Sequence, residues 1–283
     1  MLMEPECLLC LYNQTLRAAN ILDLPKDEKF KVMQNSAKVL SSINVKQTPP
    51  EAAAILYPSI AKILNKDDIY KDVKKLSRKR AKEILKRVPQ KDNLEDILKI
   101  GVIGNVMDFA TEVMFDIDKE VENIFTTSFE INDIALFEKE LKNAKELLII
   151  GDNAGEDIFD AKMATLIKNK FTNLTIYYFT RGKPIINDIT YNEAIEDGLD
   201  KEMIVIDSGV DTPGFIYDRA NNEAKEVYNR VDLILAKGMG NFETMEGIDD
   251  NRLFFLFKVK CQVVSKRVGA KVGSIVFKKN QKV

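Results

Sequence analysis

The sequence contains no histidine at all. That excludes a Ser-His-Asp or Cys-His engine, a phosphohistidine intermediate and any histidine-ligated zinc site. Proton transfer and metal binding therefore fall to Asp, Glu, Asn, Lys, Cys, Tyr or backbone groups. Cysteine is nearly as scarce: Cys7, Cys10 and Cys261 make an odd count that gives no disulfide framework. Long apolar runs are missing too, since "LLIIG" and "LFFLF" are strand-length, far below the roughly 20 residues of a membrane-spanning helix. The N-terminal "MLMEPECLLCLYNQ" carries acids where a secretory signal carries a basic region, and no small-residue cleavage site follows. The expectation is a cytoplasmic protein with no membrane partner. A net charge of −2 makes no case for nucleic acid as a main partner. Neither GxxxxGK[ST] nor a GxGxxG at the first strand-to-turn junction is present, and "KGMGNFE" is at most a distant cousin of either.

What is there reads as a soluble globular chain: 283 residues, 45% hydrophobic and 30% charged, enough for one large domain or two ordinary ones. The stretch "KKLSRKRAKEILKR" spreads its basic residues around a helix without interleaved aromatics, the pattern of a solvated face rather than of a grip on a phosphate polymer. "CLLC" has CxxC spacing. It suits a metal, a redox pair, or two small buried hydrophobes on an amphipathic helix, and spacing alone does not choose among the three.

Residues 1–140 carry apolar positions at helical spacing, as in Leu8, Leu11, Tyr12 and Leu16 and again in "LEDILKIGVIGNVMDF", with prolines and capping residues at segment starts. This predicts a helical domain. Residues 141–283 instead alternate strand-like runs ("LLIIG", "LTIYYFT", "MIVID", "VDLILAKG", "LFFLFKVK", "SIVF") with amphipathic stretches. That rhythm predicts an α/β domain with a mainly parallel sheet covered on both faces. Ligands of such sheets bind at the carboxyl ends of the strands.

The polar residues at those ends are Asp152 and Asn153, then Asn187 and Asp188, Asp207 with Ser208 and Gly209, Lys237 with Gly238, Gly240 and Asn241, and finally Lys258 and Lys260. Two aspartates and an asparagine suit a hard or borderline divalent ion, with other positions left to water and substrate oxygens. The adjacent glycines allow backbone N–H groups to approach an anion, and helices beginning just after Asn153 and Gly214 would aim positive ends at it. Any one of these turns could be mere punctuation between strand and helix. Five on one predicted edge describe a site for phosphate chemistry.

In their order, "GDNAGE", "NDIT", "DSGVDTPG", "KGMGNFE" and "KVKC", behind a helical region holding "CLLC" and "GNVMDF", resemble the DUF89 family of metal-dependent damage-control phosphatases. The likeness is to its archaeal and bacterial CxxC-bearing subfamily and spans nearly the whole chain. The resemblance implies a three-layer α/β/α domain with a helical domain attached, and a divalent metal on Asp152, Asn153 and Asp188. It implies hydrolysis of phosphate monoesters of small metabolites, such as sugar phosphates or damaged nucleotides and their precursors. The late active-site lysine maps to Lys260 rather than Lys258, although the RTxK form of other subfamilies is absent. Asn105 and Asp108, three apart on one helix face, are implied to contact substrate, as are Ser208, Gly209, Lys237, Gly240 and Asn241. The family context also raises a second, structural metal on Cys7, Cys10 and Cys261.

On this reading the ion polarises phosphorus, Lys260 and Lys237 neutralise phosphoryl oxygens, and Asp152 or Asp188 assists an activated water; an aspartyl-phosphate route stays open. Mg, Mn, Co and Ni all tolerate such ligands. The competing expectations are a protein that sequesters a phosphorylated metabolite or nucleotide without turnover and, ranked last, a methyltransferase.

Overall fold

The computed structural model describes residues 1–106 and 117–281. Helices come first. α1 (Pro5–Ile21), α2 (Lys26–Ser42) and α3 (Pro49–Ile63) are followed by α4 (Lys71–Leu85), α5 (Leu94–Val106) and α6 (Ile117–Thr126). The α3 start shows why they form where they do. Thr48 accepts the Glu51 N–H while Glu51 takes the Thr48 N–H, a reciprocal cap with Pro49 placed where a missing donor costs nothing.

The chain then alternates: β1 (Ile131–Asn132), α7 (Ile134–Leu141), β2 (Glu146–Ile150), α8 (Glu156–Lys170), β3 (Thr175–Thr180), α9 (Tyr191–Asp197) and β4 (Ile204–Asp207). It continues through α10 (Asn222–Arg230), β5 (Leu233–Lys237), α11 (Gly238–Met245), β6 (Leu253–Lys258), α12 (Gln262–Val268) and β7 (Ile275–Lys279). The seven described strands form one sheet in the order β1-β7-β6-β5-β2-β3-β4. All neighbours are parallel except β6 and β7. The fold is thus mixed α/β with a mainly parallel sheet, as expected, and with an antiparallel turn-back at one edge.

Period-two alternation sorts the two faces. Leu147 and Ile149 of β2 face α5, α7 and α8, whereas Leu148 and Ile150 face α10, α11 and α12. α1, α2 and α3 pack around Leu11, Leu56, Tyr57 and Ile60, a separate core that also receives Ile185 from beyond β3. α5 belongs to the sheet as much as to the helices, because Ile97, Leu98 and Val102 face the strands while Ile100 and Ile103 face α4 and α6. β1 and α7 likewise precede residue 141 yet join the sheet layer.

Candidate active site

β2 gives way to Gly151, where a Cβ would stand 2.5 Å from the Tyr178 hydroxyl. Asp152 and Asn153 follow, and Gly155, at φ 98°, turns the chain into α8 so that Glu156 returns toward them. Asn153 Nδ2 donates to Asp152 Oδ2 at 3.0 Å and to Glu156 Oε1 at 2.7 Å. From α5, Asn105 Nδ2 donates to the same two carboxylates at 3.3 and 3.1 Å, while its Oδ1 accepts the Lys258 backbone N–H at 2.9 Å. With that oxygen engaged by a donor, the NH₂ side of Asn105 must face the acids.

The loop after β3 is laced to the loop after β2. Ala154 N–H donates to the Asn187 carbonyl at 2.8 Å and Ile189 N–H to the Asp152 carbonyl at 2.9 Å, pairing Asn153 with Asp188 as an antiparallel bridge. Ile186 holds φ 46°, a left-handed conformation that a β-branched residue rarely takes, directly before these contacts. Buried Arg181 ties the arrangement together. Its Nε donates to Asp188 Oδ2 at 2.8 Å and its Nη2 to the Gly151 carbonyl and to Asn241 Oδ1, both at 3.2 Å. Asn241 Nδ2 in turn donates to the Lys237 carbonyl at 2.6 Å, and its Oδ1 accepts the Phe215 N–H at 2.7 Å.

Burial pushes the Asp152 carboxyl well above the usual range, with Glu156 and Asp188 adding to the rise and Lys260 and Arg181 opposing it. Asp188 is pushed up to about 6 by burial, against the pull of Arg181. Crowded buried acids of this kind accept either protons or a cation. The oxygens of Asp152, Asn153 and Asp188 fit a hard divalent ion, although among the described residues no three Cys, Asp or Glu side chains form a ready-made cage. The third oxygen of the set has to come from the Asn153 amide.

These groups open into a cleft of about 520 Å³. One end carries Asp152, Asn153, Glu156, Asp188, Lys258 and Lys260; the far wall comes from α1, α3 and α11. At the start of α11, Gly238 sits at φ 77°, and a Cβ there would run into the Asp152 carboxylate; one on Gly240 would strike the Pro213 carbonyl. Only glycine lets α11 begin so close to the acids.

The structure brings Asn105, Asp152, Asn153, Asp188, Gly240 and Lys260 to the cleft. Others lie elsewhere. Lys237 is fully buried and turned away, donating to Asp160 and to the Gly101 carbonyl, because a lysine at the end of a central strand is covered by α5 and α8. Ser208 is buried and donates to the Thr180 carbonyl at 2.5 Å; exposed Gly209 gives its N–H to Asp207; neither lines the cleft. Asn241 acts on the scaffold rather than lining the cavity. No helix starts just after Gly214, since the chain passes through a 3₁₀ turn at Tyr217–Arg219 before α10. Asp108 lies outside the described residues. Cys7 is buried on α1, exposed Cys10 accepts Gln14 Nε2 at 3.2 Å, and Cys261 caps α12 by accepting the Val264 N–H at 3.4 Å.

Two residues that build this cluster carry no signal singled out in the sequence reading. Glu156 stands three residues after Asn153, the spacing that returns a side chain over the first helical turn. Arg181 gave no such signal, because its partners come from three separate segments.

The damage-control phosphatase ARMT1-like domain family matches residues 3–276. A damage-control phosphatase of Pyrococcus horikoshii is 33% identical over 99% of both chains. An uncharacterised protein of Methanocaldococcus jannaschii is 31% identical over 98% of this chain and 95% of its own. A damage-control phosphatase of Archaeoglobus fulgidus is 27% identical over 98% and 99%. The crystal structure of a DUF89 family protein from P. horikoshii superposes with a TM-score of 0.93, covering 99% of this chain and all of the other at 33% identity.

Proposed function

We propose, from the premise that this chain belongs to the damage-control phosphatase ARMT1-like (DUF89) family, that it is a divalent-metal-dependent phosphatase cleaving phosphate monoesters of small metabolites. The observation that carries this reading is the cluster of Asp152, Asn153, Glu156 and Asp188 gathered with Lys258 and Lys260 at one end of one cleft, at the carboxyl ends of parallel strands.

Asp152, Asn153 and Asp188 would hold the ion, which supplies the positive charge that polarises a phosphoryl group. Lys260, with Lys258 beside it, neutralises the remaining phosphoryl oxygens as charge redistributes. Arg181 keeps the Asp188 carboxylate oriented by the bond to Oδ2. Asn105 and Asn153 hold Glu156 Oε1 from two sides; this carboxylate takes the proton of the attacking water as the phosphorus–oxygen ester bond breaks, and returns it to the leaving alkoxide, releasing alcohol and inorganic phosphate. α1 and α3, with α11, supply the wall that meets the rest of the substrate, and the strand ends of the sheet most of the platform that reacts. Mg, Mn, Co and Ni are the candidate ions, sugar phosphates and damaged nucleotides or their precursors the candidate substrates, and the cytoplasm the setting. Cys7, Cys10 and Cys261 are candidate ligands of a separate structural ion.

The test is phosphate release from a generic aryl phosphate by chelator-stripped protein, with each divalent ion added back, beside Asp152→Ala. Metal-restored activity that the variant lacks is the expected result. Silence with every ion, in protein shown to be folded, overturns the reading in favour of a binding protein.

A further inference from the structure

Glu243 stands in the same cleft and takes no part in the chemistry above. Gly240 and Glu243 are three apart, and Met239 and Glu243 four, so all three share the face of α11 that looks into the cavity. The carboxyl takes no hydrogen bond or ion pair from another side chain among the described residues, and burial pushes it up to about 7 against the pull of the N-terminal ammonium. That ammonium donates to the Glu243 carbonyl. Of the cleft's lysines, Lys258 ends β6 and Lys260 follows two residues later, both at the acid cluster.

Gly238 abuts Asp152 at the reacting end. With a rise of 1.5 Å per residue, Glu243 lies roughly 7–8 Å further along α11. A substrate anchored by phosphate at Asp152 therefore presents to Glu243 whatever it carries about six bonds from phosphorus. As the carboxylate, in an assay held above about pH 8, Glu243 accepts a hydroxyl or amine there and repels an anion.

We infer that Glu243 is a specificity-determining residue, selecting phosphate esters with a hydroxyl or amine donor at that distance and rejecting those with a second anionic group. The inference rests on the phosphatase reading. It differs from that reading in naming what the non-phosphate end of the substrate must offer.

Three esters of matched length separate the cases: ω-hydroxybutyl phosphate, ω-aminobutyl phosphate and ω-carboxypropyl phosphate. Wild-type protein should turn over the first two with higher kcat/KM than the third. In Glu243→Gln the ratio of carboxypropyl to hydroxybutyl kcat/KM should rise about tenfold and the aminobutyl advantage should fall. Glu243→Asp, which keeps the charge, should retain the wild-type order. Ratios within one preparation are insensitive to a general loss of activity. A carboxypropyl ester that is the best of the three in wild type, or a carboxypropyl-to-hydroxybutyl ratio unchanged in Glu243→Gln, overturns the role of Glu243 and leaves the phosphatase reading standing. No release from any ester or from the aryl phosphate by wild-type protein overturns both.

Discussion

Lys237 and Asp160 form an ion pair in which neither side chain has any solvent exposure. The same lysine donates to the Gly101 carbonyl at 2.7 Å, and the other oxygen of Asp160 accepts the Tyr178 hydroxyl at 3.0 Å. One buried charge thereby joins the end of β5, α5, α8 and β3. Removing the cation alone strands an acid, so Lys237→Met should cost about 3–5 kcal/mol of stability. Adding Asp160→Asn to it should recover a large part of that loss. Urea midpoints of wild type, single and double variants measure both; an additive double variant would show that the two side chains are not coupled.

Gly238→Ala should be far more damaging to catalysis than its size implies. The new methyl meets the Asp152 carboxylate and also forces an L residue to φ 77°. Metal-dependent phosphate release should fall at least about a hundredfold, as expected when a reacting group is displaced by an ångström. Gly247→Ala, with no heavy atom near its new methyl, should change stability by no more than about 0.5 kcal/mol.

The buried acids give the metal-free protein an unusual pH dependence. The folded-state values of Asp152 and Asp188 lie above the ordinary 3.8, and that of Asp188 reaches about 6. Their contribution to stability is complete below that ordinary value and is lost as pH rises through the folded-state value. Asp197 and Asp250, which are lowered by arginine partners against the opposing effect of burial, act in the opposite sense but only at more acid pH. Thermal midpoints of chelator-stripped protein should therefore fall as pH climbs from about 4 through 6. Added divalent ion should reverse the fall, with its largest effect at the upper end. Asp188→Asn should flatten the metal-free profile, and a profile unchanged in that variant would assign the effect to other groups.

Lys260 and Lys258 both reach the cleft, yet their loss should differ. Of the two lysines, Lys260 is the one whose positive field opposes the rise at Asp152, whereas the service Lys258 renders to Asn105 is through its main-chain N–H, which alanine retains. Lys260→Ala should reduce kcat/KM by roughly 10²–10³-fold and Lys258→Ala by less than tenfold. Steady-state kinetics on one aryl phosphate decides it, and the reverse order would make Lys258 the phosphate-facing lysine.

The alternation of apolar runs and amphipathic stretches made the parallel sheet legible, since a buried strand between two helical layers must be apolar throughout. That Asp152, Asn153 and Asp188 meet in one cleft was legible because all three stand in the loops that follow strand-like runs predicted to be parallel neighbours. Lys237 misled because chain position places it at the same edge; only the packing of α5 against α8, which leaves no room for a Cβ on Gly104 beside Glu156, turns it inward. Arg181 was hidden for the converse reason, its partners being Gly151, Asp188 and Asn241 from separate parts of the chain. The antiparallel edge was not legible either, because "SIVF" reads the same in either direction.

That edge governs when the molecule can be completed during synthesis. β1 pairs with β7, Ile131 opposite Val276, and the rings of Phe137, Phe254 and Phe277 close on one another beside this pairing at 4.9, 5.3 and 5.8 Å. A nascent chain still held at the ribosome before β7 has emerged keeps β1 unpaired and leaves Phe137 and Phe254 without their third ring. The acid cluster is translated long before Lys258 and Lys260, so the negative half of the cleft exists on the growing chain before its positive half.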